Sequence, residues 1–367
     1  MLSRARVVVV IALALAGWVG SAAAAPPRGR TPRLADRLIW RWVPNLSHAA
    51  SVKAVSERLQ TQFGHAMPNK DWQVTADRML RRHGRIPASV LPESLPPLPA
   101  VASTHLAAGV IKTALAASDV RSGYIYLERQ AAALRGSSNE LEQQLGSALT
   151  SYLARYKAKW AKPWLRQQRA RFAKAPREAW RFTETVNYQD SISSEQRAVI
   201  EKRIARAKRV LEHLVDPQVL LRMPPVPIQV GSQFSGPCIA TEANGRKLIH
   251  LTPTSSVKDL LHELGHWVED FGGWRIFTTM HALRWRRSDG RLSELGKLLE
   301  GTTYDATQKA FNGKFVAPYI GRKYAGGSTE VLSMGLERLV NTRAAYKFFQ
   351  QDGEHLLLLL ASLQGQR

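Results

Sequence analysis

Cysteine is nearly missing from this chain: Cys238 is the only one in 367 residues, so no intramolecular disulfide can form and the fold depends on its core. Acidic residues are scarce as well. The sequence holds 29 Asp and Glu against 52 Lys and Arg, a formal net charge of +23, and such a field draws anionic partners. Past the amino terminus no apolar run is long enough to span a bilayer; Leu356 to Leu360 is a short stretch in a helical pattern. No repeat unit recurs. These absences exclude a disulfide-stapled miniprotein, a solenoid and a multi-span membrane protein.

What is present begins with a leader-like pattern. Arg4 and Arg6 precede an apolar stretch from Val7 to Val19, and the small residues Ser21 to Ala25 follow before Pro26. Basic, apolar and small-residue zones in that order predict a secretory signal cleaved after Ala24. An uncleaved membrane anchor is the alternative, but the apolar zone falls short of the ~20 residues a spanning helix needs. Loss of residues 1–24 removes only Arg4 and Arg6, which lowers +23 to +21. The expected location is secreted or periplasmic.

The chain then divides by character. Pro26 to Pro32 is a short basic tether, and Leu34 to Arg82 carries helical apolar spacing. The stretch 86–99, with Pro87, Pro92, Pro96, Pro97 and Pro99, predicts a semi-rigid linker. Thr104 to Arg135, Ser137 to Phe182 and Ser194 to Leu214 again predict helices, the second interrupted or kinked at Pro163. Residues 153–182 hold ten Lys and Arg against Glu178 alone, with aromatics between them. That mixture suits a polyanion or a membrane interface, or else is a solvated cationic face with its aromatics turned inward.

After residue 215 strands appear. Val226 to Val230, Cys238 to Thr241 and Arg246 to Leu251 predict strands, with Asn244-Gly245 as a two-residue hairpin turn and Cys238 as a buried strand residue. From Trp274 onward helices are expected to dominate. The organisation predicted is a signal over 1–24, a helical basic region over 25–215 and a catalytic domain over 216–367. The fold class expected is α+β, a small sheet with active-site helices preceded by a mostly helical region.

The chemistry lies in His262-Glu263-Leu264-Gly265-His266. Residues i and i+4 share one helix face, so both imidazoles can close on one metal ion, and zinc fits that geometry. Glu263 flanks the pair and can take a proton from a metal-activated water without occupying a ligand position. Ser256 with Asp259 forms a box-like helix start, and Val257, Leu260, Leu261, Leu264 and Val268 supply an apolar back. His250 and His281 are more economically packed or surface residues than ligands.

Catalytic zinc uses three protein ligands. Ten residues beyond His262, where the metzincin extension has a third histidine, stands Gly272. Glutamate is the other common solution, from Glu294, Glu300, Glu330 or Glu337. The first two lie in a Gly- and Lys-rich stretch that predicts exposure. Glu330 opens an apolar helix with no basic neighbour in sequence, and a carboxylate entering a buried face needs a partner. Glu337, seven residues on, shares that face and stays an alternative.

The stretch His262 to Gly273 together with Tyr324 to Glu330 resembles the gluzincin metallopeptidases, in the branch related to lethal-factor-like toxins and to peptidase-like domains of phage and bacterial effector proteins. The similarity covers residues 246–340. It implies His262, His266 and Glu330 as zinc ligands, Glu263 as general base and Tyr324 as stabiliser of the tetrahedral intermediate. Thermolysin-like relatives place an aspartate four residues after the ligand glutamate; this chain has Met334, so an outer contact to a ligand histidine has to come from elsewhere or is missing.

The resulting expectation is a secreted or periplasmic zinc-dependent peptidase acting on a protein or peptide substrate, its basic region free to meet anionic lipid, cell-wall polymer or nucleic acid. Two alternatives differ in class: a cationic envelope-binding protein with an idle zincin core, and a metallopeptidase toxin delivered to another cell.

Overall fold

The computed structural model describes residues 46–84, 120–175, 184–299, 304–324 and 327–365. The leader, the basic tether and the proline-rich linker predicted above lie outside these residues, and so does Glu300.

Two helices come first, α1 (Leu46–Phe63) and α2 (Trp72–His83). Asp71 starts α2 by accepting a hydrogen bond from the Val74 amide at 3.0 Å, and Arg81, Arg82 and His83 lie in the last turn, where the helix dipole favours cations. Next come α3 (Val120–Arg135) and α4 (Glu140–Arg169). The chain forms two compact units, one within residues 1–37 and 93–161 and the other within 38–92 and 162–367. In the first, α3 and the start of α4 bury Leu127, Ala131, Leu145 and Leu149. Gly146 lets the two helices close, since a Cβ there would lie 2.7 Å from the Arg135 amide nitrogen.

The second unit is a mixed helix-and-sheet architecture compatible with the α+β class. Its sheet holds β1 (Glu184–Tyr188), β2 (Val226–Val230), β3 (Cys238–Thr241) and β4 (Lys247–Leu251) in the order β1-β2-β4-β3. The pairs β1/β2 and β2/β4 are parallel, and β3/β4 is antiparallel. The crossover from β1 to β2 is made by α5 (Ser194–Leu214), which starts in a Ser193/Gln196 capping box, and the short α6 (Pro217–Leu220). Pro227 is tolerated in an inner strand because β4 pairs only with residues 228–230.

Beyond the sheet run α7 (Val257–Phe271), α8 (Trp274–Arg287), β5 (Ser288–Glu294), α9 (Leu295–Leu298) and β6 (Lys309–Gly313), then a 3-10 turn (Pro318–Gly321), α10 (Val331–Glu337), α11 (Thr342–Gln351) and α12 (Gly353–Leu363). The region expected from residue 216 thus shares its unit with β1, α5 and the α1–α2 hairpin. That hairpin packs Val55, Leu59, Trp72, Ala76 and Leu80 against Phe277, Ala282 and Trp285 of α8. Among the described residues no helix is long and apolar enough to cross a membrane.

Four local expectations are corrected. The β3–β4 turn has three residues, Ala243 to Gly245, because the Glu242 amide bonds the Arg246 carbonyl and Gly245 takes φ +80°. A type I turn closed by a left-handed glycine produces this geometry. Cys238 is exposed, on β3 at the edge of the sheet. Strands β5 and β6 interrupt the helices after Trp274, and β1 occupies residues just beyond the helical prediction ending at Phe182. Over residues 162–175 the aromatic Trp164 is buried while Arg166, Arg171 and Lys174 are exposed, a solvated cationic face. Tyr156, Trp160, Trp180 and Phe182 lie outside the described side chains.

Candidate metal centre

The start of α7 is fixed by side chains. Ser256 Oγ accepts from the Asp259 amide at 3.2 Å, and Asp259 Oδ2 accepts from the Ser256 amide at 2.8 Å. The apolar back, Leu260, Leu261, Leu264, Trp267 and Val268, is buried, which turns His262 and His266 toward α10. Gly265, between them, is what lets the helices meet: a Cβ there would stand 2.5 Å from Ser333 Cα. Any side chain at 265 pushes α10 away.

That approach brings the glutamate in. Glu330 is the N-cap residue of α10, with 0% of its surface exposed. Its Oε2 lies 3.2 Å from His262 Nε2 and 3.2 Å from His266 Nε2. One ligand atom from each of the three residues falls within 4.8 Å of the others. Ser333 Oγ donates to Glu330 Oε2 at 2.7 Å, and the Tyr324 hydroxyl donates to Oε1. Glu337 sits on the far side of His262, with Oε2 3.2 Å from Nδ1. Lys258 at 3.2 Å and Arg338 at 3.1 Å hold its other oxygen. The outer contact that Met334 cannot make is therefore supplied one turn later, by Glu337.

The electrostatics follow from burial and proximity. Burial opposes a charged His262, but the carboxylates of Glu330 and Glu337 outweigh it and bring the imidazole up to about 10. Burial equally opposes an ionised Glu330, and His262 and His266 overcome it, holding that carboxyl well below the usual range. Two imidazoles around an ionised, buried carboxylate form a donor set that a divalent cation satisfies. Glu263, 6% exposed, is displaced upward: its burial outweighs the pull of His262 and His266. The Ile239 amide of edge strand β3 bonds this carboxylate, so β3 borders the site.

Tyr324 is raised first by burial and then by Glu330, so its hydroxyl stays protonated as a donor. Arg322 lies 4.6 Å from the centre of the Tyr324 ring and donates to the hydroxyl of Tyr319. Of the remaining candidates, His281 is fully buried against Arg284 at 3.0 Å, His250 stacks on Phe234 at 3.9 Å, and Glu294 pairs with Lys297 at 3.0 Å. None of these three joins the cluster.

Sequence reasoning missed Ser333, Gly265 and a buried carboxylate at Glu269. The last follows His266 by three residues, one turn on, a spacing that marks it as facing the same interior. Burial lifts Glu269 to about 8 despite His266, its hydrogen bonds from Thr329 and the more distant Arg284; Asp270 adds to the rise. The folded protein keeps this proton from about pH 4.5, the usual glutamate value, to about 8, while the unfolded chain has released it. Stability is then lost with rising pH across that window, by roughly 1.4 kcal/mol per unit. Thermal melts of the metal-free protein are expected to fall more steeply from pH 5 to 8 in the parent than in Glu269→Gln; parallel curves contradict the assignment.

Compared against protein families, curated proteins and solved structures, the chain matches none of them.

Proposed function

We propose that this protein is a zinc-dependent peptidase. The observation that carries the reading is the convergence of His262 Nε2 and His266 Nε2 on the buried Glu330 carboxylate, beside a second buried carboxylate, Glu263, that is outside the donor cluster. The donor set, two imidazoles and one carboxylate, is that of a catalytic zinc site with a position left open. The zincin fold expected from the sequence is supported by the adjacency of strand, metal helix and ligand helix.

Zinc, when bound, supplies a Lewis acid that brings the pKa of its water to about 7. His262, His266 and Glu330 would hold it, with Glu337 fixing the His262 ring through Nδ1. Glu263 accepts the proton as water adds to the scissile carbonyl and passes it to the leaving amine. Its raised carboxyl suits that exchange, since a base works best near the operating pH. The Tyr324 hydroxyl, now on Glu330, turns to donate to the developing oxyanion. An extended substrate lies along β3, which among the described residues pairs with β4 alone, and the +23 charge favours acidic substrates and anionic surroundings. The leader reading places this action outside the cytoplasm.

The test is metal content joined to turnover. Purified protein is expected to carry about one zinc per chain and to cleave an unfolded protein substrate, with activity removed by chelation and restored by zinc. Activity that survives complete zinc removal, or zinc without cleavage of any peptide, overturns it; the second outcome favours the idle core.

A further inference from the structure

Behind the metal centre, α7 and the loop leading into α10 are joined by a buried polar contact that no catalytic step uses. Glu269 is on α7, one turn beyond His266, and 0% exposed. Its Oε1 accepts from the Thr329 amide at 3.2 Å and from Thr329 Oγ1 at 2.8 Å, and Oε2 lies 3.0 Å from the same hydroxyl. Thr329, also 0% exposed, immediately precedes Glu330 and caps the next turn, its Oγ1 accepting from the Val331 amide at 3.2 Å. On the other side of the loop Gly327 has φ +82°, and a Cβ there would stand 3.2 Å from Ala54 Cβ of α1. The peptide that carries Glu330 is thus tied to the histidine helix by one side chain and held against α1 by another contact.

We infer that Glu269 and Thr329 form a latch that presets Glu330 for metal binding, so that the third ligand is positioned by the same helix that carries the first two. The inference rests on the metal reading of this site. Apart from the two histidines, the side chains that bond the Glu330 carboxylate come from outside α7: Ser333 moves with α10, and Tyr324 comes from the segment before it. The Thr329 contacts hydrogen-bond the peptide before Glu330 to α7, next to the packing of Gly265 on Ser333. Hydrogen bonds outside the ligand shell commonly change metal affinity by about 10- to 100-fold. Glu269 and Thr329 are positioning residues; neither touches the metal or the substrate.

The experiment follows zinc release from loaded protein to a coloured chelator, alongside thermal melts of the metal-free forms. Thr329→Val keeps the shape and loses the hydroxyl, and Glu269→Met removes the acceptor. Both are expected to release zinc about 10- to 100-fold faster than the parent. Thr329→Ser and Glu269→Gln, which keep a donor and an acceptor, are expected to stay within about 3-fold of it, on the same scale. Leu165→Ala, at a buried position of α4, serves as the control that lowers the melting temperature without speeding release. Should Glu269→Met not fold, Thr329→Val carries the test alone. Release from folded Thr329→Val at the parent rate, or equal acceleration in Leu165→Ala, overturns the latch while the metal site stands. A parent protein that takes up no zinc removes the site and the latch together.

Discussion

Replacing Glu263 by glutamine is expected to reduce hydrolysis by at least ~100-fold, the scale of a lost general base, and to leave about one zinc per chain. The two effects separate because Glu263 is on the metal helix yet outside the three-residue donor cluster. Glutamine has the same shape and still accepts the Ile239 amide that bonds the carboxylate now, so neither the helix nor β3 is disturbed. What disappears is the capacity to take a proton. Metal analysis and a peptide-cleavage assay on the same preparation check both halves; zinc lost with the activity moves Glu263 into the ligand set, and unchanged turnover removes it from the mechanism.

The second large effect is at Glu330. Alanine there is expected to lower zinc affinity by at least ~10- to 100-fold, the lower bound set by outer contacts alone, and to abolish turnover. It also leaves His262 without the partner that most raises its pKa. Glu337→Ala removes the contact to Nδ1 together with the ion pairs to Lys258 and Arg338, but no atom of the three-residue cluster, and is expected to retain most of the metal, with faster exchange. Competition titration against a calibrated chelator ranks the variants. Tight zinc in Glu330→Ala with loss in Glu337→Ala reverses the assignment and leaves a His-His-Glu centre built on the other end of α10.

The comparison between these two glutamates shows what was legible in the sequence. Their seven-residue spacing placed both on the cluster side of one helix, and both do reach His262, at opposite nitrogens. Which nitrogen each meets depends on how α10 crosses α7, and that crossing is set by Gly265 against Ser333; periodicity within one helix carries no such information. The metal helix itself was readable to the residue at its start, because Ser256 and Asp259 are local signals. Helix α5 was similarly local through its period and its Ser193 cap, and strands β2 and β3 through their β-branched residues. The strand β1 was not readable, for its pattern is short and follows a long basic segment, and its partner β2 lies some forty residues on. Cys238 was misjudged because β-propensity locates a strand without telling edge from centre.

The α1–α2 hairpin bears on the order in which the molecule assembles. Ser51 donates to the carbonyl of His281, 230 residues away, at 3.2 Å, and among the described residues the apolar faces of the hairpin pack against α8. A chain emerging from its amino end therefore exposes Val55, Leu59 and Leu80 until most of the rest has been made. Contacts of such long separation carry a loop-closure cost and form late in folding. Gly327, which leans on Ala54, and with it the turn that delivers Glu330, cannot settle before then. The nascent chain therefore carries His262 and His266 before Glu330 is seated beside them, and the three-residue cluster closes as one of the last events of folding.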